Sequence, residues 1–290
     1  MKSILLTGGT GFIGTNLINS FKNKFKIYVL KRKSNKKLSI DNHKNIFLIN
    51  YQNINEIENL IYKKKIDYFI NLATHYTNQN DTNNLFKIIE SNVLFSTIVL
   101  NSINKDYLKK VISIGTMHEH FKNKYFVPYN LYAASKKAFY DMTKFYKLKY
   151  SQIKFYNLKF YETFSRDDKR DKIIPKLIHN YKTNKPLTVS SPGLSLNFIH
   201  LEDVISAINI LLIKKIKSGE YQIKSSNFIN IKKLVSTLNK NLSKKIKLKI
   251  NNKKLIKINY DLKKLPYWKQ TIKIENFLKK YFYEKNKNKV

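Results

Sequence analysis

The most informative segment of this sequence is Thr7-Gly8-Gly9-Thr10-Gly11-Phe12-Ile13-Gly14. It follows an apolar run at residues 3–6, which predicts a buried strand, and it precedes a segment at residues 15–21 with helical spacing. Gly8 would allow the tight turn, Gly11 would let a pyrophosphate approach the backbone, and Gly14 would let the helix pack close to the strand. The free amides at the start of the helix would then face the phosphates. Four of the seven glycines of the chain lie here, which favours a dinucleotide-binding turn over an ordinary strand-to-helix connection.

Strand and helix patterns alternate through residues 1–165, which predicts an α/β fold with a doubly wound parallel sheet of the Rossmann type. Further strands are predicted at 26–30, 45–49, 67–73, 110–114 and 153–158, and helices at 54–62, 85–103 and 132–150. Residues 166–290 change pattern and predict a smaller mixed α/β lobe that binds the substrate, packs on the sheet and has segments interleaved with the first part. Its helices are predicted at 173–181, 204–213, 230–242 and 272–283, and its strands at 197–199, 221–224 and 246–250.

The composition excludes several classes of site. A chain of 290 residues can bury a full core, and the absence of cysteine excludes disulfides and thiolate chemistry. No apolar run approaches the roughly 20 residues of a membrane span, and the first strand begins too early to leave room for a signal peptide. His118 and His120 have no third ligand at metal-site spacing. We therefore expect a cytoplasmic protein without a metal or a membrane partner.

The net charge of +37 admits two interpretations. It could mark an anionic partner such as nucleic acid, or it could reflect a general drift of composition towards lysine. Lysine is spread along the whole chain, which favours drift. We therefore expect no specific nucleic-acid partner, with attraction of an anionic substrate as a by-product.

The end of the second predicted strand concerns the cofactor. Enzymes that use NAD place a carboxylate there for the ribose 2′-hydroxyl, whereas enzymes that use NADP favour a nearby arginine. Here the strand leads into Lys31-Arg32-Lys33, and Arg32 is one of only three arginines in the chain. This predicts NADPH with Arg32 on its 2′-phosphate. A solvated basic loop, with NAD as the cofactor, is the alternative.

Tyr132 and Lys136 form the candidate catalytic pair. Residues four apart share one face of a helix, so the phenol and the ammonium would lie side by side. A nearby cation is expected to lower the pKa of the phenol from about 10 towards a range useful for acid–base catalysis. The same spacing follows six other tyrosines, but Tyr132 alone begins a helix just after the fifth strand, at the sheet edge where ligands bind.

Together these features resemble the extended short-chain dehydrogenases/reductases, the NAD-dependent epimerase/dehydratase family, which act on nucleotide sugars. The resemblance is carried by the glycine turn, by Tyr132-Ala133-Ala134-Ser135-Lys136 after Pro128, and by Asn197-Phe198-Ile199-His200-Leu201-Glu202-Asp203-Val204. It is nearest to the CDP-abequose/CDP-paratose synthase branch, on Leu72-Ala73-Thr74-His75-Tyr76, Gly115-Thr116 and the segment from Asn130 to Lys136.

The resemblance implies a set of site residues. Tyr132 and Lys136 would be catalytic. The family's third group is a Ser or Thr at the end of the fifth strand, where this chain has Ile114; Thr116 would take its place, because it can face the same way, whereas Ser113 would face the opposite way. The cofactor would contact Gly8, Gly11, Phe12, Ile13, Gly14, Arg32, Leu72, Ala73 and Lys136. The substrate would contact Thr74, His75, Asn92, Phe160 and Tyr161. Two family arginines are replaced here, by Lys159 and Leu196.

The implied function is the NADPH-dependent reduction of the 4-keto group of a nucleotide-activated 6-deoxy sugar. A nucleotide-sugar 4-epimerase that uses NAD is the enzymatic alternative. A nucleotide-binding module with decayed chemistry and a basic nucleic-acid-binding surface is the alternative of a different class. The expected partners are a nucleotide-sugar substrate and a second copy of the chain in a homodimer.

Overall fold

The computed structural model describes residues 1–33, 43–77, 79, 81–242, 244–253 and 258–287, with side chains described as far as residue 282. The elements of the first part are β1 (Ser3–Thr7), α1 (Phe12–Phe21), β2 (Lys26–Arg32), β3 (Ile46–Tyr51), α2 (Ile57–Ile61), β4 (Tyr68–Asn71), α3 (Thr82–Ile89), α4 (Phe95–Ser102), β5 (Lys110–Ile114), α5 (Leu131–Lys149) and β6 (Lys154–Lys159). Short 3-10 turns lie at Ile54–Glu56, Met117–Glu119 and Phe121–Asn123.

The elements of the second part follow in chain order. They are β7 (Glu162–Phe164), α6 (Ile173–Thr183), β8 (Leu187–Val189), β9 (Ser195–Leu196), β10 (Phe198–His200), α7 (Leu201–Ile213), β11 (Gly219–Gln222), β12 (Ile229–Asn230), α8 (Ile231–Asn239), β13 (Leu248–Ile250) and α9 (Ile274–Lys287). Along the described residues, no helix is both long and apolar enough to cross a membrane.

A seven-stranded sheet forms the centre of the molecule, and it confirms the predicted doubly wound fold. Its strand order is β11-β6-β5-β4-β1-β2-β3, and neighbouring strands are parallel. A parallel sheet of this kind must be covered on both faces. Accordingly Ile4 and Leu6 of β1 pack with α1 and α7 on one face, while Leu5 packs on the other face with apolar residues of α4 and α5.

The sequence pattern assigned two segments differently from the structure. The strand predicted for the lobe at 221–224 is β11, which joins the edge of the central sheet beside β6. The single helix predicted at 85–103 is α3 and α4 joined by one π turn, Glu90–Leu94. Local periodicity could show neither feature, because strand partners and a one-residue insertion in a helix depend on tertiary packing.

The lobe has its own apolar core and three two-stranded pairings: β7 with β10, β9 with β12, and β8 with β13. Its core joins Phe164 and Phe198 with the inner faces of α6, α8 and α9. The pairing of β7 with β10 matters for the site, because it holds Glu162 and Thr163 next to the end of β6.

Candidate active site

One cavity of about 1160 Å³ opens at the carboxyl ends of β1, β4, β5 and β6. Glycine-turn residues, the start of α5 and the residues after β5 and β6 all contribute to its wall. The predicted site residues in the wall are Gly8, Gly11, Phe12, Ile13, Gly14, Leu72, Thr74, Thr116, Tyr132, Lys136, Phe160 and Tyr161. Most of the predicted set therefore meets in one place.

The glycine turn has the geometry that a pyrophosphate requires. Gly8 has a φ of +68°, and a Cβ there would lie 2.6 Å from the amide nitrogen of Ala73. A Cβ on Gly14 would lie 2.2 Å from the carbonyl oxygen of Gly8, so only glycine lets α1 approach the turn. Gly11 is the N-cap of α1 and offers no side-chain acceptor, and the first turn of that helix contains no acidic residue. The first amides of α1 are therefore available to a phosphate, and the turn fits a dinucleotide.

Tyr132 lies in the first turn of α5, where Asn130 caps the helix by accepting a hydrogen bond from the amide of Ala133 at 2.9 Å. The half-buried Tyr132 ring packs edge-to-face on Tyr76, with the ring centroids 4.9 Å apart. Lys136 lies one turn further along the same face and is 4% exposed. The helix thus presents the phenol and the ammonium to the cavity together.

The expectation that the pKa of Tyr132 is lowered is wrong. Burial raises the pKa of Tyr132, the negative charge of Glu119 raises it further, and the hydrogen bond with Thr74 opposes both only in part. Burial also lowers the pKa of Lys136 to about 8, against the charge of Glu119. Loss of solvation is the largest influence at both side chains, and it favours the neutral phenol.

The two hydroxyls near the end of β5 point in different directions. Ser113 donates a hydrogen bond from Oγ to the carbonyl oxygen of Tyr156 at 3.1 Å, which holds it between strands and away from the cavity. Thr116 lines the cavity together with Ile114. The Oγ1 of Thr116 accepts a hydrogen bond from the amide of His118 at 3.2 Å, and its hydrogen is free to point elsewhere. A catalytic role for Thr116 stays a prediction.

Arg32, Ala73, His75 and Asn92 lie outside the cavity wall. Arg32 is exposed at the end of β2, with its guanidinium 3.8 Å from the carboxylate of Glu90. Asn92 is buried in the π turn, where its side chain bonds the backbone of His75 at both N–H and C=O and donates to Ser135 Oγ at 2.9 Å. It therefore ties the loop after β4 to α5, and direct contact of these four residues with ligands stays a prediction.

Several charged residues of the cavity were not among the predicted site residues. His118 Nε2 lies 4.0 Å from Glu162 Oε1, and Lys172 Nζ lies 3.3 Å from Glu162 Oε2. Arg170 is held by Asp168 at 2.7 Å and places its guanidinium 3.7 Å from the ring centre of Phe12. Arg170 and Lys172 lie more than 150 positions after the glycine turn in the sequence, and the lobe brings them to the same cavity wall. No local sequence pattern predicts this proximity.

Comparison of the sequence with known proteins gives a consistent result. The profile of the family described as NAD dependent epimerase/dehydratase matches residues 4–223. CDP-abequose synthase of Salmonella muenchen is 28% identical over 226 residues, which cover 77% of this chain and 74% of that protein. CDP-abequose synthase of Yersinia pseudotuberculosis is 26% identical over 223 residues, with 75% of each protein covered.

Comparison of the structure with solved structures supports the fold. UDP-glucuronic acid 4-epimerase from Bacillus cereus, solved with UDP-glucuronic acid and NAD, superposes with a TM-score of 0.80 and 18% identity, covering 99% of each chain. dTDP-glucose 4,6-dehydratase from Bacillus anthracis, solved with NAD, gives a TM-score of 0.79 and 21% identity, covering 100% of this chain and 98% of the other. At such identities the likeness concerns the architecture alone.

Proposed function

Because the chain belongs to the NAD dependent epimerase/dehydratase family, we propose that it reduces the 4-keto group of a nucleotide-activated 6-deoxy sugar with NADPH. The family resemblance drawn from the glycine turn and the Tyr132 segment is confirmed by the match over residues 4–223. The chain is a nucleotide-sugar-modifying enzyme of that family, and the choice of reaction is the subject of the proposal.

One observation carries the proposal: Tyr132, Lys136 and Thr116 line the same cavity as the glycine turn. NADPH bound there would supply a hydride to the carbonyl carbon. The phenol of Tyr132 would give its proton to the carbonyl oxygen, so that ketone, hydride and proton give the secondary alcohol. Thr116 Oγ1 would donate a hydrogen bond to the same oxygen, and Lys136, which lines the same cavity, would stabilise the phenolate that remains.

The two candidate reactions ask different things of Tyr132. A reductase needs the phenol as a proton donor, whereas an epimerase must first oxidise its substrate with a phenolate as the base. Burial raises the pKa of Tyr132, which favours the protonated phenol. The two CDP-abequose synthases to which the chain is similar add weight to the deoxysugar class.

The end of β2 supports NADPH, since Lys31, Arg32 and Lys33 stand where an enzyme that uses NAD keeps a carboxylate. A planar guanidinium suits a 2′-phosphate well. A 4-epimerase that uses NAD is the second candidate, and one contact favours it. Glu90 lies 3.8 Å from Arg32, so an acidic group is available near the strand end after all.

A nucleotide-sugar substrate would bring a diphosphate to a cavity whose wall includes Arg170 and Lys172. A homodimer is supported by exposed apolar side chains along α3, the π turn and α5, namely Phe86, Ile89, Leu94, Met142 and Phe145. Sedimentation of the wild type and of Phe145→Asp tests the homodimer: we expect a dimer that the variant weakens, and a monomeric wild type would contradict it. A cytoplasmic location stays a prediction.

The decisive experiment is a screen of 4-keto-6-deoxy sugar nucleotides with NADPH, followed by the fall in NADPH absorbance and by NMR of the product. We expect one substrate to give a 4-hydroxy product with one NADPH consumed per sugar. Tyr132→Phe keeps the ring and loses the proton, so turnover should fall by about 10²–10⁴-fold.

Cofactor binding by Tyr132→Phe should be nearly unchanged, which separates loss of chemistry from loss of the fold. Interconversion of two 4-hydroxy sugars with no net use of NADPH would instead support the epimerase. Near-normal reduction by the phenylalanine variant would remove Tyr132 from the mechanism.

A further inference from the structure

A fully buried lysine lies directly behind the loop that carries Thr116. Lys159 ends β6 with its side chain 0% exposed, and its Nζ lies 2.8 Å from Glu119 Oε2, in contact with Glu220 Oε2, and 3.2 Å from His120 Nε2. A cation with no access to water is stable only when anions and acceptors surround it. Two carboxylates from different elements therefore converge on this one ammonium.

Glu119 connects that buried cation to Thr116. Its Oε1 accepts a hydrogen bond from the amide of Thr116 at 2.9 Å, while its Oε2 lies beside Lys159. A Cβ on Gly115 would lie 2.8 Å from Glu119 Oε1 and 2.9 Å from Lys159 Cγ. Gly115, which precedes Thr116, thus lets the loop pack closely against the ion pair of Glu119 and Lys159.

The same carboxylate acts on the other two members of the candidate site. Burial is the largest influence on both, raising the pKa of Tyr132 and lowering that of Lys136 to about 8. The charge of Glu119 is the next, and it raises both. Burial raises the pKa of Glu119 as well, and Lys159 and the hydrogen bond from the Thr116 amide oppose that rise. Lys159 of β6 is paired directly with Glu119, and His120 of the same loop and Glu220 of β11 contact Lys159 in turn.

We propose that Glu119 is a positioning residue for the reduction proposed above. Held by Lys159, its carboxylate fixes the backbone of Thr116 and places a paired anion behind the cavity wall that Thr116 shares with Tyr132 and Lys136. The inference rests on the proposed function for its meaning, but its physical content can be tested without any substrate.

The first test titrates the lysines of the ligand-free protein by NMR after ¹³C-lysine labelling. Among the lysines that the structure describes, Lys136 and Lys105 should titrate near 8, and each is assigned from the signal lost in its methionine variant. Glu119→Gln keeps an oxygen for the Thr116 amide and removes the charge, so the midpoint of Lys136 should move below 8. Lys105 is an internal control, because burial, Glu58 and Lys149 govern its pKa, and its midpoint should stay near 8.

Asp203→Asn is the matched control for loss of a buried carboxylate. Asp203 is 1% exposed and accepts hydrogen bonds from Thr271 and Ile272, outside the cavity wall. This variant should lose stability and leave the midpoint of Lys136 in place. If Glu119→Gln does not fold, the double variant Glu119→Gln/Lys159→Gln removes both charges of the buried pair, and Lys136 should still titrate lower. An unmoved Lys136 in a folded variant overturns the proposal.

The second test uses the reductase assay. Glu119→Ala also removes the acceptor for the Thr116 amide, so kcat should fall on the order of 10²-fold below that of Glu119→Gln, with KM little changed. Equal kcat for the two variants would refute the positioning of Thr116. If Glu119→Gln lowers the Lys136 midpoint as expected but the wild type reduces no keto sugar, only the proposed function is refuted.

Discussion

Ser113→Ala and Thr116→Val should separate stability from catalysis. Ser113 is 3% exposed, and its Oγ donates to Tyr156 O at 3.1 Å and lies 3.2 Å from Asn157 Oδ1. Removal of this hydroxyl leaves buried acceptors without their donor, at about 1–3 kcal/mol. For a chain of this length that is a fall in Tm of about 2–4 °C per kcal/mol. Turnover should change little, because Ser113 lies outside the cavity wall.

Thr116→Val should instead lose turnover, with a smaller loss of stability. It removes the N-cap acceptor of the turn Met117–Glu119, which costs about 1 kcal/mol. It also removes the hydroxyl that we propose as the donor to the substrate oxygen, and loss of one such donor costs about 10²–10³ in kcat. Thermal melts by circular dichroism and initial rates at saturating NADPH measure both effects in each variant. A slower Ser113→Ala than Thr116→Val would show that the hydroxyl of the reaction comes from the strand and not from Thr116.

Four further predictions follow from the geometry. A Cβ on Gly14 would meet backbone at 2.2 Å, whereas one on Gly11 would meet its nearest atom at 3.2 Å. Gly14→Ala should therefore lose cofactor binding and about 3 kcal/mol or more of stability, and Gly11→Ala should lose much less stability. Equal melting temperatures of the two variants would contradict this. By calorimetric titration NADPH should bind more tightly than NADH, and Arg32→Ala should reduce this difference in affinity. Equal affinities in the wild type would mean that Arg32 is a solvated side chain with no part in cofactor choice. Nucleic-acid binding should be weak, non-selective and steeply salt-dependent, and tight selective binding at physiological salt would favour the basic binding module. Burial and Lys159 lower the pKa of His120 to about 4, so unfolding takes up a proton at this side chain. The contribution of His120 to stability should fall by about 3 kcal/mol as pH drops from about 6.5 to about 4, and His120→Gln should lack this part of the pH dependence.

The fold could be predicted because its signals are local. The glycine turn is built from residues that are close in sequence, and at Gly8 and Gly14 other backbone atoms come too close for a side chain. Strand β5 was predicted with the bounds Lys110–Ile114 that the structure has. Tyr132 and Lys136 share a helix face whenever α5 forms, so their meeting in the cavity needed no knowledge of distant residues.

The remaining features depend on contacts between distant parts of the chain. Strand β11 is short and could pair with any exposed edge, and only packing beside β6 assigns it to the central sheet. Lys159 was noted as a substitution for a family arginine, but its partners Glu119 and Glu220 lie 40 and 61 positions away and on separate elements. A contact of Arg32 with the cofactor was predicted from its place at a strand end, and it stays a prediction. Its contact with Glu90 depends on where the π turn begins.

The protonation state of Tyr132 bears on the proposed direction of the reaction. Burial and the charge of Glu119 both oppose loss of the phenolic proton. A reduced nicotinamide ring is uncharged, so beside it the proposed role of Tyr132 as proton donor would hold. An oxidised nicotinamide ring carries a positive charge, which would favour the phenolate and the role of a base that an epimerase needs. On this reasoning the charge of the bound cofactor would decide which of the two proposed roles Tyr132 takes.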